Sequence, residues 1–152
     1  MPKITPNFWF DDEAEEAAEF YTNIFKNSGI TNVARPGAGE PVMWVDFELD
    51  GVAFTALNGG PAGFQFNESL SLIVNCDSQD EVDYFWEKLG AGGEFGVCGW
   101  LKDRYGVSWQ IIPTAMNDLM TDSDPGRAGR ATQAMLQMTK IDIETLKIAY
   151  DG

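Results

Sequence analysis

Uncharged amide, hydroxyl and indole side chains at alternate positions of strand-like segments are the groups here best placed to do chemistry. Gln110 stands in the apolar run 107–112, where alternation puts Val107, Trp109 and Ile111 on one face and Ser108, Gln110 and Ile112 on the other. A long polar side chain in such a strand needs a hydrogen-bond partner, a ligand or water. The same alternation sets Asn7 and Trp9, Trp44 and Asp46, Thr55, and Ser71 and Ile73 on corresponding faces, with Trp100 near their rim. A few polar groups among aromatic walls is how small-molecule pockets are built. Indoles can stack on a planar or cationic ligand, and Asp46 can meet a positive group. In the alternative reading the tryptophans fill that space, and Gln110 is a structural amide bonded to Asn7 or Ser71.

Histidine is absent. That removes the commonest metal ligand and the commonest general base at neutral pH, and it rules out Ser-His-Asp and Cys-His arrangements. Acid–base catalysis would fall to Asp46, Glu48, Lys102 or Tyr105, with a pKa moved toward neutrality by burial. With 24 acids against 10 bases the formal net charge is −14, which argues against a nucleic-acid or anionic-membrane partner. No apolar run approaches the ~20 residues of a membrane span, and Met1-Pro2-Lys3 leads into a strand-like segment, not a signal peptide. A cytoplasmic protein is expected, with Cys76 and Cys98 as buried, reduced thiols.

The elements that must position these groups follow from periodicity. Residues 3–10 alternate as a strand, with Ile4, Pro6, Phe8 and Phe10 on one face. Asp11-Asp12, with Glu15 three residues after Asp12, reads as the cap of a helix whose apolar stripe is Ala14, Ala17, Ala18, Tyr21, Ile24 and Phe25. A strand over 30–35 follows, then a loop, then a hairpin around Asp50-Gly51 (42–49 and 52–57). Residues 58–67 are irregular, and then the pattern repeats. A strand carries Leu70, Leu72 and Val74, and Ser78 caps a helix with Val82, Phe85, Trp86 and Leu89 on its apolar face. A short strand carries Phe95, Val97 and Cys98, and a final hairpin turns at Asp103-Arg104-Tyr105-Gly106. Shifting by 64 places Phe20-Tyr21 on Tyr84-Phe85. Shifting by 55 places Gly51-Val52-Ala53-Phe54-Thr55 on Gly106-Val107-Ser108-Trp109-Gln110. Each half therefore reads strand, helix, three strands, with the helix covering one face of its sheet. After Pro113 come three helices. The first carries Met116, Leu119 and Met120; the second starts at Pro125; the third is capped by Asp142.

This doubled unit resembles the vicinal oxygen chelate (glyoxalase/bleomycin resistance/dioxygenase) superfamily, and within it the PhnB-like group often labelled 3-demethylubiquinone-9 3-methyltransferase. The resemblance is carried by Phe8-Trp9-Phe10, Glu15-Glu16-Ala17 and Phe20-Tyr21 in the first half. Later it is carried by Ala56-Leu57-Asn58-Gly59-Gly60-Pro61, Phe66-Asn67-Glu68, Val74-Asn75-Cys76, Cys98-Gly99-Trp100-Leu101-Lys102-Asp103, Tyr105-Gly106-Val107-Ser108-Trp109-Gln110 and Lys140-Ile141-Asp142-Ile143. It implies an α+β fold, two βαβββ modules (1–60 and 67–113) forming a cupped mixed β-sheet with helices outside, plus C-terminal helices (114–152), usually in a homodimer. Metal-dependent members hold a divalent ion with His and Glu from the first and last strands of each module. The matching last-strand positions here are Thr55 and Gln110, and the first-strand ones Thr5 or Asn7 and Ser69 or Ser71. Neutral amides and hydroxyls are poor ligands for Zn or Fe, so neither metal nor cofactor is expected. Nor do Gly59-Gly60-Pro61 and Gly90 to Gly93 stand in the strand–turn–helix context of a Rossmann-type S-adenosylmethionine site. The expected function is metal-independent binding of a small molecule by Asn7, Trp9, Trp44, Asp46, Thr55, Ser71, Trp100 and Gln110. An enzyme working by carboxylate or Lys/Tyr chemistry in the same cavity, or a ligand-free dimeric interaction module, is the alternative.

Overall fold

Alternating apolar and polar residues form two four-stranded mixed sheets of identical connectivity in a computed structural model that describes residues 2–152. The chain divides between Gln65 and Phe66 into two units, each with its own sheet. The fold is α+β.

The first unit comprises β1 (Asn7–Phe10), α1 (Ala14–Ile24), β2 (Gly29–Ala34), β3 (Trp44–Leu49) and β4 (Val52–Asn58), in sheet order β1-β4-β3-β2. β1 runs parallel to β4, and the other pairs are antiparallel. Asp50 and Gly51, at φ of 48° and 79°, are both left-handed, as a two-residue turn between right-twisted strands requires. Phe8, Phe47 and Phe54 turn toward α1 and pack with Tyr21, the Phe47 and Phe54 rings stacking at 5.5 Å. The opposite face carries Asn7, Trp9, Trp44, Asp46 and Thr55.

Two local expectations are corrected in this unit. The first strand begins at Asn7, not residue 3, and Ile4 is exposed. Pro6 accepts from the Thr55 N–H at 2.9 Å but has no N–H to return, so the ladder starts after it. The α1 cap is neither Asp11 nor Asp12. Glu13 holds the N-cap position without a side-chain bond, and the Ala14 N–H donates instead to Asn58 Oδ1 at 2.8 Å. Parallel pairing sets Asn58 opposite Phe10, so an amide from β4 reaches the helix start. Its Nδ2 also donates to the Val42 carbonyl at 3.1 Å.

The second unit comprises β5 (Ser71–Cys76), α2 (Gln79–Gly90), β6 (Glu94–Phe95), β7 (Trp100–Lys102) and β8 (Ser108–Pro113), in order β5-β8-β7-β6. Ser78 caps α2 as expected, accepting from Glu81 N at 3.2 Å. β6 is shorter than expected: Val97 and Cys98 lie outside it, and Cys98 and Gly99 are both left-handed. Val74, Cys76, Leu101, Trp109 and Ile111 face α2 and are buried. Phe95 also lies on that side, its ring 4.9 Å from Trp86. At the β7–β8 turn the Asp103 carboxylate, 3% exposed, accepts from Tyr105 N, Val107 N and Trp109 Nε1 at 2.8–3.1 Å.

The extension folds as α3 (Thr114–Met120), α4 (Pro125–Met135) and α5 (Ile143–Asp151). Ile112, Met116, Ile141 and Leu146 form its core. Backbone bonds from Cys98 N to Met138 O and from Gly99 N to Thr139 O dock residues 138–139 on the turn before β7. Gln79 clamps the next stretch, donating to Ile141 O and accepting from Ile143 N. The Lys140-Ile141-Asp142-Ile143 segment is thus a strap that fastens α5 to α2. Both cysteines are free, but only Cys76 is buried; Cys98 is half-buried. No helix among the described residues is long and apolar enough to cross a membrane.

Candidate functional site

Each sheet covers one face with its helix, so the candidate groups stand on the other. In the first unit, cross-strand register lines up Asn7, Thr55, Asp46 and Asn32 in one row. Side-chain bonds run along it: Thr55 Oγ1 donates to Asn7 Oδ1 at 2.5 Å, and Asn32 Nδ2 to Asp46 Oδ2 at 3.0 Å. Trp9 and Trp44 flank Leu57 in the adjacent row, 38% and 39% exposed. Trp9 Nε1 donates to Gly60 O at 3.0 Å, and its ring meets Phe64 edge-on. The structure therefore brings five of the candidates together on this face: Asn7, Trp9, Trp44, Asp46 and Thr55.

The remaining three, Ser71, Trp100 and Gln110, lie on the second sheet. Gln110 is opposite Trp100 on one side and Ile73 on the other, and its Nε2 donates to Ser71 Oγ at 2.9 Å. The strand register settles the first-strand alternative in the first unit and selects neither serine in the second. Asn7, not Thr5, stands opposite Thr55, whereas Gln110 stands opposite Ile73 and reaches Ser71 through its side chain alone.

Beside Trp100 the second sheet carries an open cavity of about 460 Å³, bordered also by Val97, Lys102, Glu68, Glu94 and Ser108. One cross-strand row supplies Glu94, Lys102 and Ser108. Lys102 Nζ is ion-paired with the Glu68 carboxylate. That hydrogen bond holds Lys102 above the usual ammonium range and Glu68 below the usual carboxylate range, so both stay charged near neutrality. A general-base role for Lys102 is disfavoured accordingly. Ser108 is 1% exposed, and its hydroxyl has no hydrogen-bond partner. A buried hydroxyl without a partner costs free energy unless something else supplies the bond.

Of the eight expected ligand-binding residues, only Trp100 borders this cavity. Ser108 and Lys102 were legible from alternation along their strands. Glu94 stands on a two-residue edge strand and Glu68 in a turn, where no periodicity marks them. Glu48 is exposed, and Asp46 is engaged by Asn32.

A divalent ion does not suit this donor set. The Thr55 hydroxyl and Gln110 amide already bond to neighbouring side chains, and neither is an anionic or imidazole donor. Among the described residues no three His, Cys, Asp or Glu side chains come together in a group that could hold an ion.

The model of the family described as 3-demethylubiquinone-9 3-methyltransferase matches residues 2–112. The PhnB protein of Bacillus cereus is 33% identical over 74% of this chain and all of its own, with a TM-score of 0.69. A protein from Pseudomonas aeruginosa is 19% identical over 74% of this chain and 98% of its own, with a TM-score of 0.62. The fosfomycin resistance protein FosX of Listeria monocytogenes, solved with Mn(II) and sulfate, is 16% identical over 73% of this chain and 92% of its own (TM-score 0.53). The last two likenesses are of fold alone. No curated protein matches the chain.

Proposed function

The chain belongs to the 3-demethylubiquinone-9 3-methyltransferase (PhnB-like) family of the vicinal oxygen chelate superfamily, and from that premise we propose that it binds a small organic molecule without a metal. The observation that carries this reading is the cavity beside Trp100, where a buried hydroxyl lacks a partner and an indole wall is half-exposed. An apolar surface with one or two convergent polar groups is what a small ligand needs for affinity and orientation. Metal independence is supported by the neutral, already bonded donors at Thr55 and Gln110. FosX was solved with Mn(II), but its likeness reaches this chain through fold only.

The family's description names a methyl transfer, which we do not propose for this chain. Gly59-Gly60 follows β4 and leads into an irregular segment, and Gly90 to Gly93 lead from a helix to an edge strand. Neither forms a strand–turn–helix phosphate cradle. We also propose a cytoplasmic homodimer, supported by free thiols and by Leu70, Ile73 and Val97 exposed on the second unit; sedimentation equilibrium tests the dimer.

The test of binding is a thermal-shift screen against aromatic acids, alcohols and amines, run with and without EDTA. A ligand that binds only the native state raises its melting temperature. At least one class is expected to do so equally in both conditions. A panel without any response would overturn the reading.

A further inference from the structure

We propose that the Trp100 cavity takes an aromatic monocarboxylate, its ring on Trp100 and its carboxylate bonded by Lys102 Nζ and Ser108 Oγ in the place now filled by Glu68. The inference rests on the binding role proposed above and names the ligand class for the same site.

Three observations carry it. Lys102 and Ser108 are directly opposed on β7 and β8, where side chains of a cross-strand pair stand about 5 Å apart. They can therefore converge on one oxyanion, a charge-assisted bond from the ammonium and one from the hydroxyl. Trp100 lies two residues before Lys102 on the same strand and thus on the same face, so a ring attached to that carboxylate meets the indole. Finally, a carboxylate is already seated at Lys102, from Glu68 of the chain itself. Glu68 stands in a turn just before β5, its side chain 57% exposed, so its ion pair is of the weak surface kind and readily exchanged. The Ser108 hydroxyl, buried and unpartnered, gains a bond that Glu68 does not supply. Glu94, opposite Lys102 on β6, disfavours a second negative charge in the ligand and so limits it to a monoanion. The chain's overall negative charge is screened within about 8 Å at physiological ionic strength and does not decide a contact at this distance.

Calorimetric titration with indole-3-acetate, indole-3-ethanol and tryptamine tests the proposal. Indole-3-acetate is expected to bind at least tenfold more tightly than the other two. Glu68→Gln removes the internal competitor and should tighten indole-3-acetate at least threefold while leaving indole-3-ethanol unchanged. Ser108→Ala should weaken indole-3-acetate at least fivefold without lowering the melting temperature. The Glu68 variant alters an exposed turn and serves even if the buried substitution misfolds. The proposal is overturned if the acid binds no better than the alcohol or amine, or if Glu68→Gln weakens it. Equal binding of all three compounds would leave the cavity a binding site and remove only its carboxylate preference. Binding of none, with an unresponsive thermal-shift panel, would remove both.

Discussion

Asp103 shows how much one side chain contributes to the second sheet. Its buried carboxylate accepts from two backbone N–H groups of its own turn and from the Trp109 indole. Hydrogen bonds to a charged group contribute about 1.5–3 kcal/mol each, and stranded partners add desolvation cost. Asp103→Ala should therefore lower stability by about 3 kcal/mol or more in urea unfolding; a loss under about 0.5 kcal/mol would contradict this account of the turn. The position was legible as a turn residue, but its burial was not, because that depends on Trp109 closing over it. Cys76 makes a second residue-scale prediction. Burial, with Glu81 and Asp77 nearby, pushes its thiol up to about 12. A folded pKa above the unfolded one means stability is fully present below the ordinary thiol range and is lost as pH rises toward 12. Cys76→Ala should flatten the decline in stability above about pH 9 relative to the parent chain. An unchanged alkaline slope would contradict it.

At the scale of elements, strand and helix existence was written in the periodicity, while their ends were decided by tertiary partners. The stripe of Ala14, Ala17, Ala18, Tyr21 and Ile24 is buried as its spacing requires. The start of α1 was misread because Asn58, 44 residues away in sequence, supplies the cap that Asp12 was expected to give. Asp12→Ala should thus change stability by less than about 0.5 kcal/mol, whereas Asn58→Ala should cost about 1–2 kcal/mol, the usual range for losing a cap. Thermal unfolding of the two variants decides it, and the reverse ranking would restore the local reading. By contrast α2, capped by Ser78, behaves as its sequence suggests, since no strand end competes there. The Lys140-Ile141-Asp142-Ile143 strap could be recognised as a motif but not explained from sequence. Its partners, Gln79 and the backbone at Cys98 and Gly99, lie far along the chain.

At the scale of the molecule, two sheets with the same strand order repeat one connectivity, and that repeat was visible as two offsets in the sequence. The faces left open by the helices were also visible, because strand alternation fixes them. What alternation could not supply was the content of the second face. Glu68 arrives from an irregular segment, and the hydroxyl of Ser108 stands out only once its lack of partner is known. The absence of histidine gives the molecule its chemical character. At the last-strand positions Thr55 and Gln110 this chain places a hydroxyl and an amide bonded to neighbouring side chains. The most direct test is the melting temperature of the metal-stripped chain across aromatic acids, alcohols and amines, repeated after adding Mn(II) or Zn(II). The account predicts a stabilising compound whose effect is the same with and without metal and is lost in Trp100→Ala. A shift that appears only once the ion is added would contradict it.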